Sequence, residues 1–306
     1  MSPFALNLSG ANRQSGRDLE VTHEQQNPIA FLDNNSSPRG CNCVFCRGAN
    51  CNCQQSEPRS SASRTLKQAH KHHHYQLIDV GTLGGAQSTV AGAPLNNRGT
   101  LVGCADTSTP DPNYPNFNPF LSPFGADPFI FHTFKFEGGS LTDMGALPGT
   151  NSSCAGFLTD GGLIVGGSEN ALIDPLTGWP AMEAVAWQNG QVTNLGTFGG
   201  NESFAIGANS RGQVVGAAGN MVPDPFSVFF GCTQTRAFLW THSQGLQDLG
   251  TLGGPDALAT NINDRGQIFG ASYTSDVPNP LTTIPPLDGF LYEKGKMTDI
   301  PDGFGL

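Results

Sequence analysis

Residues 237–270 read AFLWTHSQGLQDLGTLGGPDALATNINDRGQIFG, and this stretch decides the fold. It runs from an aromatic segment through an Asp-Leu-Gly-Thr-Leu-Gly-Gly motif to a run of small residues. An Asn-Asp-Arg-Gly turn and a short Ile-Phe-Gly segment follow. Apolar runs of strand length, broken by Gly, Asn and Asp, are the pattern of short antiparallel strands joined by tight turns.

The same pattern recurs along the chain. Asp79–Gly85, Asp143–Gly149, Asn194–Gly200 and Asp248–Gly254 are four copies of the Gly-rich motif, and Asp299-Ile300 opens a fifth. Their first residues lie 64, 51, 54 and 51 positions apart. A period near 50 is that of a propeller or a solenoid. Each unit holds four apolar runs. A small-residue strand, as at 203–208 and 257–262, leads into an Asn-rich turn at 96–99, 209–212 or 263–266. Asn and Gly tolerate positive φ, which such hairpin turns require. A β-branched strand follows (101–103, 163–166, 214–216, 268–270), then an insertion, then an aromatic strand, then a last strand that ends in the Gly-rich motif. Four antiparallel strands in a unit of this length are the pattern of a β-propeller blade.

The expected fold is therefore all-β, a propeller of four blades plus an extra last-type strand at residues 75–81. That is either a four-bladed ring with a spare strand or part of a larger propeller. The Ala/Gly-rich strand belongs innermost, where blades crowd. Trp187, Trp240 and Tyr292 are expected to pack between blades. Composition agrees: 40 Gly and 22 Pro in 306 residues far exceed the usual share of about 12%, and both are poor helix residues. A formal charge of −10 excludes nucleic acid as the main partner. No apolar run reaches the roughly 18 residues of a membrane span.

Residues 1–74 differ from the rest. They carry no lasting periodicity and few large apolar residues, which predicts a disordered N-terminal segment ahead of a repeat domain at 75–306. The segment lacks the basic and apolar regions of a signal peptide. Cys41, Cys43, Cys46, Cys51 and Cys53 lie within it, with His70, His72, His73 and His74 downstream. Thiolates and imidazoles together suit zinc or copper(I), although the spacing matches no standard zinc module.

The run from Ala237 to Gly270 resembles the HAF family of probable extracellular bacterial repeats, and the likeness extends over about residues 75–306. The resemblance implies an extracellular or cell-surface repeat domain, of a family largely without an assigned activity. Members usually open with a signal peptide just before a strand like the one at 75–79; here residues 1–74 stand in that place.

The insertions at 106–130, 169–183, 219–235 and 274–288 fall at one place in the repeat, so in a propeller they share a face. Each carries an acid or amide before proline: Asp111, Asp127, Asp174, Asp224 and Asn279. Proline stiffens such loops. Tyr114, Phe117, Phe120, Phe124, Trp179, Phe226, Phe229 and Phe230 supply rings. Asp111, Tyr114, Phe117, Phe120, Asp127, Asp174, Trp179, Asp224, Phe226 and Phe229 make up the candidate ligand-binding set, with carbohydrate or protein as the partner. The other reading is that the rings fold back over blade edges.

The Asp of each Asp-Leu-Gly recurs in most blades, so turn capping suits it better than catalysis. Cys154 and Cys232 could pair, leaving Cys104 over. No serine elbow, zinc-protease helix, phosphate loop or dinucleotide fingerprint is present, no cofactor is expected, and His132 and His242 have no evident acid–base partner. The sequence thus points to a non-enzymatic binding domain. The alternatives are a polysaccharide-acting enzyme using loop carboxylates, which requires two of them about 5–9.5 Å apart, and a metal-binding protein acting through its N-terminal cysteines. Oligomeric state is not encoded in any motif.

Overall fold

The structure is a computed structural model that describes residues 77–300, except 91, 150, 228, 229 and 231. The chain divides into Met1–His72 and His73–Leu306, and all described residues belong to the second unit. The expected disorder of residues 1–74 and the five cysteines there lie outside the described residues.

Sixteen strands and no helix are present among the described residues, in four consecutive four-stranded antiparallel meanders. The first comprises β1 (Gly84–Thr89), β2 (Leu101–Pro110), β3 (Phe129–Glu137) and β4 (Ser140–Gly145). The second comprises β5 (Ser153–Leu158), β6 (Ile164–Ile173), β7 (Pro180–Gln188) and β8 (Gln191–Gly196). The third comprises β9 (Gly199–Ala208), β10 (Val214–Pro223), β11 (Thr233–Thr241) and β12 (Gly245–Asp248). The fourth comprises β13 (Ala257–Ile262), β14 (Ile268–Tyr273), β15 (Leu287–Glu293) and β16 (Lys296–Ile300). A single parallel bridge, Met182 to Glu202, joins the second and third meanders into one eight-stranded sheet.

The turn chemistry repeats as the sequence suggests. Asn96 Oδ1 accepts the backbone N–H groups of Arg98 and Thr100, both at 3.0 Å. Asn209 does the same for Arg211 and Gln213, and Asn263 for Arg265 and Gln267. Gly99, Gly212 and Gly266 close these turns at φ of 78°, 74° and 82°, where a side chain would be strained. The capping role of the motif aspartates also holds. Asp79, Asp143, Asn194 and Asp248 each accept the N–H of the glycine two residues on, at 2.9, 2.7, 2.8 and 2.8 Å.

Glycine recurs inside the second strand for a different reason. A Cβ at Gly103, Gly166, Gly216 or Gly270 would run into the carbonyl of Thr89, Cys154, Phe204 or Leu258 on the strand alongside. Close backbone approach explains a glycine in a strand interior.

Successive sheets stack in chain order, and the cores lie between them. Val102 of the first sheet packs with Ile164, Val185 and Trp187 of the second. Val165, Ala184 and Leu195 of the second pack with Val214 and Phe238 of the third, with Trp240 alongside. Val215, Ala237 and Leu249 of the third pack with Ile268 and Phe290 of the fourth, with Tyr292 alongside. Trp187, Trp240 and Tyr292 thus sit at the three junctions, as expected. Trp187 is fully buried and donates its indole N–H to the Gly145 carbonyl of the sheet before it, at 3.2 Å. The small-residue strands β5, β9 and β13 neighbour one another in turn. The first and last sheets do not pack broadly on each other among the described residues.

Two expectations are corrected. Residues 77–82 form no strand, and Leu77 and Ile78 are exposed. The disulfide joins Cys104 to Cys154, with Cα atoms 5.1 Å apart, and leaves Cys232 free. Cys104 on β2 and Cys154 on β5 meet because adjacent sheets stack there, whereas Cys232 lies at the end of the third insertion.

Candidate binding face

The second strand of each of the first three units overruns its sheet. β2, β6 and β10 are ten residues long and end in three exposed positions. The turns at 96–99, 209–212 and 263–266 lie at the start of the second strand and the insertions at its end, so the two sit at opposite ends of the sheets.

Every acid or amide before proline builds its own loop. Side-chain oxygens of Asp111, Asp127, Asp174, Asp224 and Asn279 accept the N–H two residues on, at 2.7 to 2.9 Å. This is the Asx-turn, which a following proline preorganises. Asp127, Asp174 and Asp224 are buried and Asp111 is half-buried. Asp127 also accepts Gln87 Nε2 at 2.6 Å, and Asp174 accepts Asn201 Nδ2 at 2.9 Å. Asp127, Asp174 and Asp224 are thus withdrawn from solvent, while Asp111 keeps part of its surface exposed.

The first insertion reaches across to its neighbours. Phe120 lies 6.1 Å from the Trp179 ring and 6.0 Å, edge-on, from the Phe230 ring, so the first three insertions meet at one aromatic cluster. Phe124 stands edge-on to Phe131 at 5.6 Å. Asn116 Nδ2 donates to the Gly178 carbonyl at 2.8 Å. Phe117, Trp179 and Phe226 are half-buried, while Tyr114 and Phe120 are exposed. Phe229 lies outside the described residues. Some of the rings therefore cover the sheet ends, and Tyr114 and Phe120 remain exposed.

Beneath the insertions lies a set of buried carboxylates that the sequence reading did not single out. Glu202, only 3% exposed, accepts Asn118 Nδ2 at 3.0 and 3.2 Å and the Met182 N–H at 3.4 Å. Asn118 is buried in the first insertion and also donates to the Pro180 carbonyl at 2.9 Å. Burial pushes Glu202 up from 4.5 to about 8, against the pull of these donors and with the charges of Asp174 and Glu169 adding. Burial likewise pushes Glu169 up to about 7, although the Ser152 N–H binds it at 2.9 Å. Asp106 rises to about 6 through burial and the Asp127 charge. Asp106 Oδ1 and Asp224 Oδ2 are buried without a hydrogen-bond partner among the described residues. No group of three His, Cys, Asp or Glu poised to hold a metal ion exists among the described residues.

On the outer strands, His132 Nδ1 lies 3.0 Å from Asp143 of the Asp-Met-Gly motif, so this histidine does have an acid partner. The β3–β4 register brings the two together, and Arg236 meets Asp248 in the same way at 3.0 Å. Repetition of this pair on two units marks it as a hairpin contact. His242 stands edge-on to Trp240, with ring centroids 6.3 Å apart.

No family model matches the chain, and no curated protein matches it either.

Proposed function

We propose that the chain is a non-enzymatic repeat protein, a propeller-type array of HAF-like units, that binds a protein partner through the face carrying the four insertions. One observation carries this reading. Of sixteen exposed large hydrophobic side chains among the described residues, ten lie in the insertions: Tyr114, Phe120, Leu172, Ile173, Leu176, Met221, Val222, Val277, Leu281 and Ile284. Concentrated apolar exposure on one structural feature is the mark of an interaction site.

The aliphatic majority favours a protein surface over a glycan, because sugars stack on flat rings and Phe120 already spends its ring on Trp179 and Phe230. The loop carboxylates are engaged in their own turns, which favours binding over catalysis. The Cys104–Cys154 disulfide supports an oxidising, extracellular setting.

The test is a displayed-peptide selection run beside a panel of soluble polysaccharides on the full chain. Leu176→Ser, Met221→Ser and Leu281→Ser are then combined in one variant. The reading requires peptide ligands that the variant loses while its melting temperature stays put. Ligands that bind wild type and variant alike would refute it, and polysaccharide binding alone would move the partner class to glycans.

A further inference from the structure

Each junction between sheets uses the same positions, and strand pairing identifies them without ambiguity. Leu158 pairs with Ile164 and Ile164 with Trp187; Ala208 pairs with Val214 and Val214 with Trp240; Ile262 pairs with Ile268 and Ile268 with Tyr292. All nine pack toward the sheet before them. The equivalents in the first sheet are Leu95, Leu101 and Phe136, since Leu95 pairs with Leu101 and Leu101 with Phe136. Leu95 is 62% exposed where Leu158 and Ala208 are each 4%. Leu101 is half-buried, where Ile164, Val214 and Ile268 are fully buried; Phe136 is half-buried, as Trp240 and Tyr292 are.

A polar lock at the first two junctions shows the same gap. Ser153 and Ser203 are fully buried, and each accepts an N–H of the preceding sheet's third strand and donates to the carbonyl of its motif glycine. Ser88, their equivalent on β1, is exposed.

The opposite face of the array tells the complementary story. Leu195 and Leu249 pack toward the sheet after them and are 5% and 7% exposed. The fourth sheet has Ile300 at this position, 37% exposed.

We propose that the outward face of the first sheet, centred on Leu95, Leu101 and Phe136, is a docking surface for a second copy of this chain. The copy seats its fourth sheet there, head to tail. The junction made would be the one the chain already makes three times within itself, with Ile300 of the copy in the role of Leu195 and Leu249. Closed rings of blades typically run from four to eight units. Reciprocal docking, first sheet on fourth in both directions, closes a ring of two copies rather than an open filament.

Sedimentation equilibrium on the full chain, over a hundredfold range of concentration, tests this. The expected species has twice the 32.2 kDa mass of one chain. Leu95→Asp and Ile300→Asp should each convert it to the single-chain mass, with cooperative melting retained because both side chains stand in solvent in the single chain. Mixing the two variants should recover a two-chain species, since one junction then uses two unaltered faces. A wild type that stays at the single-chain mass overturns the proposal. So does a two-chain species indifferent to both substitutions, or a mixture that fails to reassociate.

Discussion

Raising the pH should destabilise this protein, and Glu202 is the main reason. In the unfolded chain a glutamate ionises near 4.5; in the folded one Glu202 keeps its proton until about pH 8. It is held by the neutral donors Asn118 and Met182, and no lysine, arginine or histidine forms an ion pair with it among the described residues. Between those two values the folded state binds the extra proton. The stabilisation is therefore complete below about pH 4.5 and is lost as pH rises through 8. At 1.36 kcal/mol per decade of acidity, the gap is worth on the order of 5 kcal/mol for this one group. Glu169 and Asp106 act in the same direction, with windows closing near 7 and 6. The assay is urea unfolding of wild type and Glu202→Gln at each pH from 5 to 9. Stability of the wild type should fall across that range, and the variant should lose up to about 1.4 kcal/mol per pH unit of the slope between 5 and 8. The comparison cancels effects of overall charge, which both proteins share elsewhere. Parallel curves for the two proteins, or stability that rises toward pH 9, would refute the reasoning.

Reduction of the Cys104–Cys154 bridge, whose ends are 50 residues apart, should cost about 4 kcal/mol by loop-closure entropy; calorimetry with and without reductant reads it as a fall in melting temperature on the order of 10 °C. Gly216→Ala should cost about 1–3 kcal/mol, because the new methyl meets the Phe204 carbonyl, while Gly212→Asn, at a turn with φ of 74° and open space around it, should cost under about 1 kcal/mol; denaturant titration of both variants separates close approach from turn conformation. Leu281→Ser, at a side chain 93% exposed, should leave stability unchanged and weaken any ligand of the insertion face by roughly tenfold, the loss of about 1.5 kcal/mol of apolar burial.

The repeat was legible because its signals are local and recur. Asn before Arg-Gly, Asp before Leu-Gly and a glycine inside the second strand each answer a backbone need that every unit shares. The inter-sheet aromatics were legible for the same reason. The buried acids were not, because they occupy positions where the units differ. Three residues beyond Gly103, Gly166, Gly216 and Gly270 stand Asp106, Glu169, Gly219 and Tyr273. A period search averages such a position away, yet variation inside a constant frame is where a repeat protein places its individual chemistry. Asn118 escaped for another reason: its link to Glu202 spans 84 residues, and nothing in the local sequence of the first insertion announces it. The cysteine pairing failed on parity, since an odd count cannot say which thiol is left over and only the stacking of adjacent sheets does. The Asx-turns of the loop aspartates are legible in their spacing before proline. Eight of the ten exposed large hydrophobic side chains in the insertions are not aromatic, and they carry no repeating signal.

Amide hydrogen exchange with mass readout, with and without the tightest ligand from the peptide selection, tests the insertion face most directly. Protection should fall on residues 106–130, 169–183, 219–235 and 274–288, and leave the turns at 96–99, 209–212 and 263–266 unchanged. Protection centred on those turns, or on the outer strands β4, β8, β12 and β16, would contradict the claim that this protein binds through its insertions.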